Sequence, residues 1–267
     1  PSMRWGHKLG DAMLVDALNG ALTDPFEQVL MGVTAENVAQ RYQITRSQQD
    51  ALALESHRRA ATAIAEGRFV SQIVATPVES KTGTVDFTVD EHVRANTTEQ
   101  DLAKLRPIFR ADGGTVTAGN ASGINDGAAA ILLASAAAVR KHNLKPMARL
   151  VAYAHAGVEP AYMGIGPVPA TQRALARAGI SVSDLDVVES NEAFAAQACA
   201  VAAELRFDPS RTNPNGSGIS LGHPVGATGA ILVTKLVHEL QRRNGRYGLA
   251  TMCIGGGQGI AAIFERV

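Results

Sequence analysis

The pattern of apolar and polar positions along the 267-residue chain divides it into a first part, roughly residues 1–117, that is the more polar and the richer in helix signals, and a later part of α/β pattern. Residues 31–42 read as a short helix, and Thr45 with Gln48 has the capping-box spacing that opens a longer one, which Gly67 can end. Leu54, His57, Ala61 and Ile64 fall on one face of that helix. Between 69 and 93 the β-branched residues alternate around Gly83, predicting short strands or a hairpin, and a further helix from about Thr98 to Leu105 stops at Pro107. Short elements in a polar setting predict an excursion that covers something, not a core. At Gly113 the texture changes: a small-residue loop, 118–126, runs into an unbroken apolar stretch, 128–134, that reads as a buried strand. From Ala148 onward strand and helix patterns alternate. ARLVAYAHA, a Gly/Pro loop around Met163, ATQRALARAG, DLDVVES and NEAFAAQACAVAAEL follow in turn. A glycine-rich loop at 213–229 then feeds a helix with its stripe at Leu232, Val233, Leu236, Val237 and Leu240, and the chain closes on two strands, GLATMCI and IAAIFERV, around GGGQG.

Composition narrows the class. Lysine plus arginine and aspartate plus glutamate number 25 each, a balance that gives no reason to expect nucleic acid as a partner. No apolar run is long enough to span a bilayer, and the opening PSMRWGHKLGD lacks the apolar core of a signal peptide, so a cytoplasmic protein is the default. The two cysteines, Cys199 and Cys253, make neither a metal spacing nor a disulfide framework, and no metal site is expected. Aromatic residues are only 4% of the chain while alanine and glycine abound, so the core must be made of small side chains in close layers.

Candidate chemistry sits where the elements meet. His223 lies among Gly216, Gly218, Gly222, Gly226 and Gly229, with Pro224 next, an arrangement that delivers one imidazole to the mouth of a helix. There the local potential favours a neutral ring able to accept a proton; a histidine that merely caps the helix satisfies the same motif. Asn191 and Glu192 fall where a strand's carboxyl end meets a helix start, a place where open α/β sheets put ligand groups, although a cap and a first-turn acid fit equally. Cys253 ends a strand beside glycines whose free N–H groups would stabilise a thiolate; the alternative is a buried free cysteine. The loop around Ser122 admits a close ligand or simply joins two elements. His57 reads as a partly buried surface histidine and Cys199 as a small buried residue. A dinucleotide fingerprint at GGGQG fails, because no helix and no acidic residue ~20 positions on follow it.

A base, a cysteine beside N–H donors and a junction asparagine are parts of acyl-transfer chemistry. In this order, the motifs NEAF at 191–194, NPNGSGISLGHPVGATG at 213–229, GLATMCIGGGQG at 248–259 and GNASGINDGAAA at 119–130 resemble the thiolases, enzymes that make or cleave the carbon–carbon bond of 3-ketoacyl-CoA. The resemblance implies an α/β thiolase fold, a layered αβαβα core with an inserted loop domain. It implies residues 1–117 as the loop domain over CoA, 118–145 as the closing part of an incomplete first half, and 146–267 as the second half. It implies His223 as the base that activates an acyl-accepting cysteine and Cys253 as the acid/base for the carbon. Asn191 would hold an oxyanion-hole water and Gly255 would give a backbone N–H to a second hole. Ser122, Ala118, Phe109 and Met163 would line the pantetheine tunnel, with Arg94 near the nucleotide end. Coenzyme A and acyl-CoA are then substrates, no cofactor is held permanently, and a dimer or tetramer is expected.

Two departures from the family pattern stand out. A thiolase carries a further stretch of roughly a hundred residues or more before the point that matches Pro1, and its nucleophilic cysteine lies there. The expectation is therefore a truncated, cleaved or split thiolase, inactive without that part or accompanied by a separate N-terminal fragment bearing the cysteine. Leu30 stands where biosynthetic members commonly have histidine, which leaves the acyl range open. Other readings are a hydrolase or condensing enzyme with Cys253 as nucleophile, and a non-catalytic CoA-binding remnant.

Overall fold

Alternation along the last strands decides which layer each side chain joins, and the structure, a computed structural model describing Gly6 and residues 9–267, shows both layers filled. The opening residues 1–5, 7 and 8, read above for a leader, lie outside the described ones. Chain order begins with helices α1 (Ala17–Ala21), α2 (Met31–Arg41) and α3 (Arg46–Ala65), then the hairpin β1 (Thr76–Ser80) and β2 (Gly83–Phe87), and α4 (Glu99–Ala103) and α5 (Ala136–Lys141). It continues with β3 (Ala148–Gly157), α6 (Pro167–Ala178), β4 (Leu185–Ser190), α7 (Ala195–Leu205), α8 (Gly218–Leu221), α9 (Thr228–Arg243), β5 (Tyr247–Ile254) and β6 (Gln258–Arg266).

The four later strands form one sheet in the order β3-β6-β5-β4, with β4 parallel to β5 and the other pairs antiparallel. Along β5 and β6 successive residues alternate between the faces. Leu249, Ala261 and Ile263 pack with Ala170, Ala174 and Leu175 of α6 and Ala200 and Val201 of α7. Ala250 and Phe264 instead meet Leu232, Leu236 and Leu240 of α9, the stripe read from the sequence. Helices thus cover both faces, and the core of small side chains lets them lie close: a Cβ on Gly248 would come within 2.7 Å of Leu236. Among the described residues no helix is long and apolar enough to cross a membrane.

The earlier elements lean on this sheet domain. Helix α3 opens on the Thr45–Gln48 capping box and ends before Gly67, as its pattern predicts. Its buried face, however, is Ala53, Ser56, His57, Ala60 and Ala63, while Leu54, Ala61 and Ile64 are half-buried. The helix packs against α7 and α8, and only short side chains allow that approach. The hairpin forms around Gly83 and is exposed on both faces. The largest correction concerns 128–134: no strand forms, Leu132 and Leu133 are 81% and 77% exposed, and no strand lies alongside among the described residues. An apolar run becomes a buried strand only when neighbours supply its ladder hydrogen bonds.

Candidate active site

Because β4 and β5 run parallel, their carboxyl ends emerge side by side, and the Asn191 N–H donates to the Thr251 carbonyl at 3.0 Å. Asn191 directly follows β4, and Cys253 is the next-to-last residue of β5. The loop after α8 brings His223 to the same edge. Gly222 turns that loop at φ 98°, and a Cβ on it would come within 2.6 Å of the Asn125 side-chain amide. Gly218 is equally constrained, since its Cβ would stand 2.8 Å from Asn191 Oδ1.

The contacts of His223 favour one tautomer. Thr228 Oγ1 lies 2.9 Å from the Pro224 carbonyl and 2.7 Å from His223 Nδ1. A hydroxyl bonded to that carbonyl accepts from Nδ1–H, and the Asn191 amide nitrogen opposite Nε2 suits a lone pair there. Asn191 Nδ2 approaches Nε2 at 3.4 Å. Asn191 is therefore no helix cap: Phe194 holds the N-cap position of α7 without a side-chain bond, and Asn191 is fully buried behind the histidine. Burial lowers the His223 pKa below the ordinary histidine value. The ring meets the start of α9 through Thr228, and the cause of the shift is desolvation.

Cys253 is 7% exposed and packs with Met31, Met163 and Ala193. Burial pushes its thiol up to about 12, overriding the small opposite effect of its backbone hydrogen bond. The sequence expectation of a stabilised thiolate is thus corrected: desolvation outweighs the neighbouring N–H groups, and the group rests as a thiol. Cys199, half-buried on α7 with its thiol raised to about 11 by burial and then by Glu192, meets the Gln48 carbonyl and does not line the cavity. Glu192 also departs from expectation. It is buried, held by Ser56 Oγ at 2.6 Å and Asn213 Nδ2 at 3.0 Å, and its pKa is raised by burial.

One cavity of about 990 Å³ joins these groups. His223, Cys253, Gly255, Ser122, Ala118, Phe109, Met163 and Arg94 all line it, and Asn191 stands just behind His223. The small-residue loop forms a wall of it, with Ser122 N–H bonded to the Ala193 carbonyl at 3.0 Å. Phe109 sits against Gly32 and edge-on to Phe194, ring centroids 6.4 Å apart. Among the polar lining residues, the sequence does not single out His92 or Asn125, and it reads His57 as a partly buried surface histidine. His57 accepts the Arg94 N–H at Nδ1, 3.1 Å away, and its pKa falls to about 4 through burial and the neighbouring His92 and Arg94. Position on a helix face could not separate it from a surface histidine, because the partner that buries it lies far along the chain.

Comparison with known proteins gives the site a context. The family model described as thiolase, N-terminal domain, matches residues 1–137, and that described as thiolase, C-terminal domain, matches 144–266. Beta-ketothiolase BktB of Cupriavidus necator is 62% identical over 267 residues, all of this chain and 68% of its own length. Human mitochondrial 3-ketoacyl-CoA thiolase is 49% identical over 265 residues, covering 99% of this chain and 66% of its own. Among solved structures, the acetyl-CoA acetyltransferase of Bacillus anthracis superposes with a TM-score of 0.93 at 46% identity, over 100% of this chain and 68% of the other. The human mitochondrial 3-ketoacyl-CoA thiolase in complex with CoA gives 0.88 at 46% identity, over 100% of this chain and 66% of the other.

Proposed function

The chain belongs to the thiolase family, and from that premise we propose that its cavity carries out thiolysis of 3-ketoacyl-CoA or the reverse condensation of acetyl-CoA. The observation that carries this reading is the pairing, in one cavity, of an imidazole with a free Nε2 lone pair and a cysteine whose thiol is pushed up to about 12. In the cleavage direction His223 Nε2 takes the proton of an acyl-accepting thiol, and the resulting thiolate attacks the 3-keto carbon. The C2–C3 bond breaks, its electron pair stays on C2, and C2 takes the Cys253 proton. Cys253, now a thiolate, takes the proton of the incoming CoA thiol. The CoA thiolate attacks the thioester carbon, the bond to the acyl-accepting cysteine breaks, acyl-CoA leaves, and the departing cysteine thiolate takes back its proton from His223 Nε2. A weakly acidic thiol suits this exchange, because it must return a proton to, or remove one from, a carbon acid. Asn191, with Oδ1 unpaired among the described residues, would hold a water that shares an oxyanion with His223, and the Gly255 N–H would serve the second oxyanion. Ser122, Ala118, Phe109 and Met163 would border the pantetheine and Arg94 the nucleotide, making 1–117 the cover over CoA.

The acyl-accepting cysteine is proposed to come from a polypeptide segment that accompanies this chain. Supporting this, Cys253 is the one cysteine lining the cavity and burial disfavours its thiolate. The chain spans about two thirds of the length of the relatives it matches. The exposed apolar run 128–134 would form a strand on pairing with such a segment, and the assembled enzyme would be a dimer or tetramer. Acyl labelling with acetyl-CoA, read by peptide mass, tests the assignment. The label is expected on a cysteine of the added segment and lost by at least about a hundredfold in rate in His223→Ala. Acetyl on Cys253 in this chain alone would sink it.

A further inference from the structure

Asn125 stands between two histidines. Its Oδ1 accepts the backbone N–H of His223 at 3.2 Å, and its Nδ2 faces Nδ1 of His92 at 3.3 Å. Glycines leave room for this contact: a Cβ on Gly123 would come within 2.4 Å of the His92 ring, and one on Gly222 within 2.6 Å of the Asn125 amide. A side-chain amide has one accepting end and one donating end, so its partners determine its orientation. The His223 N–H requires the oxygen, which turns the NH₂ toward His92 and requires an unprotonated Nδ1 there.

We propose that His92, acting through Asn125, is a positioning residue for the His223 loop, and that the neutral ring is the form that holds the loop. Protonation places a hydrogen on both ring nitrogens. Nδ1–H then opposes the Asn125 NH₂, donor against donor. If the amide turns over it satisfies His92 but sets its NH₂ against the His223 N–H. One of the two bonds is lost in either orientation, and with it an anchor of the Gly222–His223 peptide. The charged and titratable groups facing His92 are Arg94 and His57. Burial and Arg94 lower its pKa, while the Ile219 carbonyl beside the ring acts the other way. The loop is therefore anchored at neutral pH and released as pH falls through a point below the usual histidine range.

The catalytic consequence rests on the role proposed for His223; the coupling itself is a property of this chain and is measured without turnover. In protein carrying ¹⁵N-histidine, the His223 backbone amide and the His92 ring nitrogens are followed from about pH 4 to about pH 8. They are expected to move with one shared midpoint. In His92→Asn an amide oxygen replaces Nδ1 as an acceptor that cannot titrate, and the shared transition of the His223 amide should disappear. His92→Phe should show the acid-form amide shift at every pH. In the enzyme complete with its acyl-accepting cysteine, His92→Phe should lower kcat about fivefold at neutral pH, the loss of one ordinary hydrogen bond, and His92→Asn should restore it. The proposal is overturned if the His223 amide in His92→Asn keeps the wild-type midpoint, a comparison that stands even if His92→Phe does not fold. Full activity of His223→Ala would instead remove the catalytic role and leave the coupling intact.

Discussion

Thr228 is 2% exposed and touches no part of the cavity, yet the protonation pattern of His223 depends on it. Its hydroxyl is tied to the Pro224 carbonyl and accepts from Nδ1, so the lone pair is left on the nitrogen that faces Asn191. Valine at this position keeps the shape and removes the acceptor. Thr228→Val is expected to let both tautomers populate and to cost about tenfold in kcat of the complete enzyme, while Thr228→Ser restores it. The ring ¹⁵N shifts of His223 report the same change without turnover: averaged nitrogens in the valine variant, distinct ones in wild type and serine. Unchanged shifts in Thr228→Val would show that something else sets the tautomer. The motif GHPVGAT contains both residues, but their five-residue separation reveals nothing until the loop folds the ring back onto the helix start.

At the scale of elements, α9 carries two roles that its apolar stripe does not announce. Leu232, Leu236 and Leu240 build the core against the sheet, while Lys235 and Glu239 on the same helix are 4% and 2% exposed. Lys235 donates to Glu189 of β4 at 2.7 Å and to the Gly216 carbonyl at 2.6 Å, tying the helix, the strand and the glycine loop together. Burial raises the Glu189 pKa to about 7, with Lys235 pulling down and Glu239 and Glu192 pushing up. A folded-state pKa above the unfolded one favours the fold at low pH and loses that contribution as pH rises through about 7. Lys235→Met leaves Glu189 buried without its cation and is expected to cost about 3–5 kcal/mol in urea unfolding near neutral pH. Adding Glu189→Leu should recover most of it, because a well-packed apolar pair often matches a buried ion pair. If the single substitution costs under about 1 kcal/mol, the pair is not holding the loop to the helix. Neither charge was singled out in the sequence, since a lysine and a glutamate on an amphipathic helix ordinarily face water.

For the molecule as a whole, one sheet is covered by helices on both faces and an apolar run elsewhere is left exposed. The sheet of β3, β6, β5 and β4 has helices on both faces, whereas Ile124, Ile131, Leu132 and Leu133 are exposed. A polypeptide supplying the remaining third of a beta-ketothiolase relative is expected to cover that run. Limited proteolysis of this chain alone should cut within about residues 124–135, and the added segment should slow the cleavage at least about tenfold. Equal cleavage with and without the segment would remove 128–134 as its docking strand.

Periodicity and flanking signals by themselves located the helices α2, α3, α6, α7 and α9 and the strands β3 to β6, helices by apolar positions three or four apart and strands by short apolar runs between turns. They also marked the 213–229 loop, Asn191 and Cys253, since glycines and a strand–helix junction are local signals. Tertiary structure alone decided which of those groups share a cavity, that Cys253 rests as a thiol, that His57 and His92 line the same cavity, and that Asn125 accepts the His223 backbone N–H. The reason is physical: a pKa follows the desolvation and hydrogen bonds that distant segments impose, and a strand follows the neighbours that pair with it. Residues 128–134 make the point, for the same apolar run that reads as a buried strand lies exposed where no strand adjoins it among the described residues.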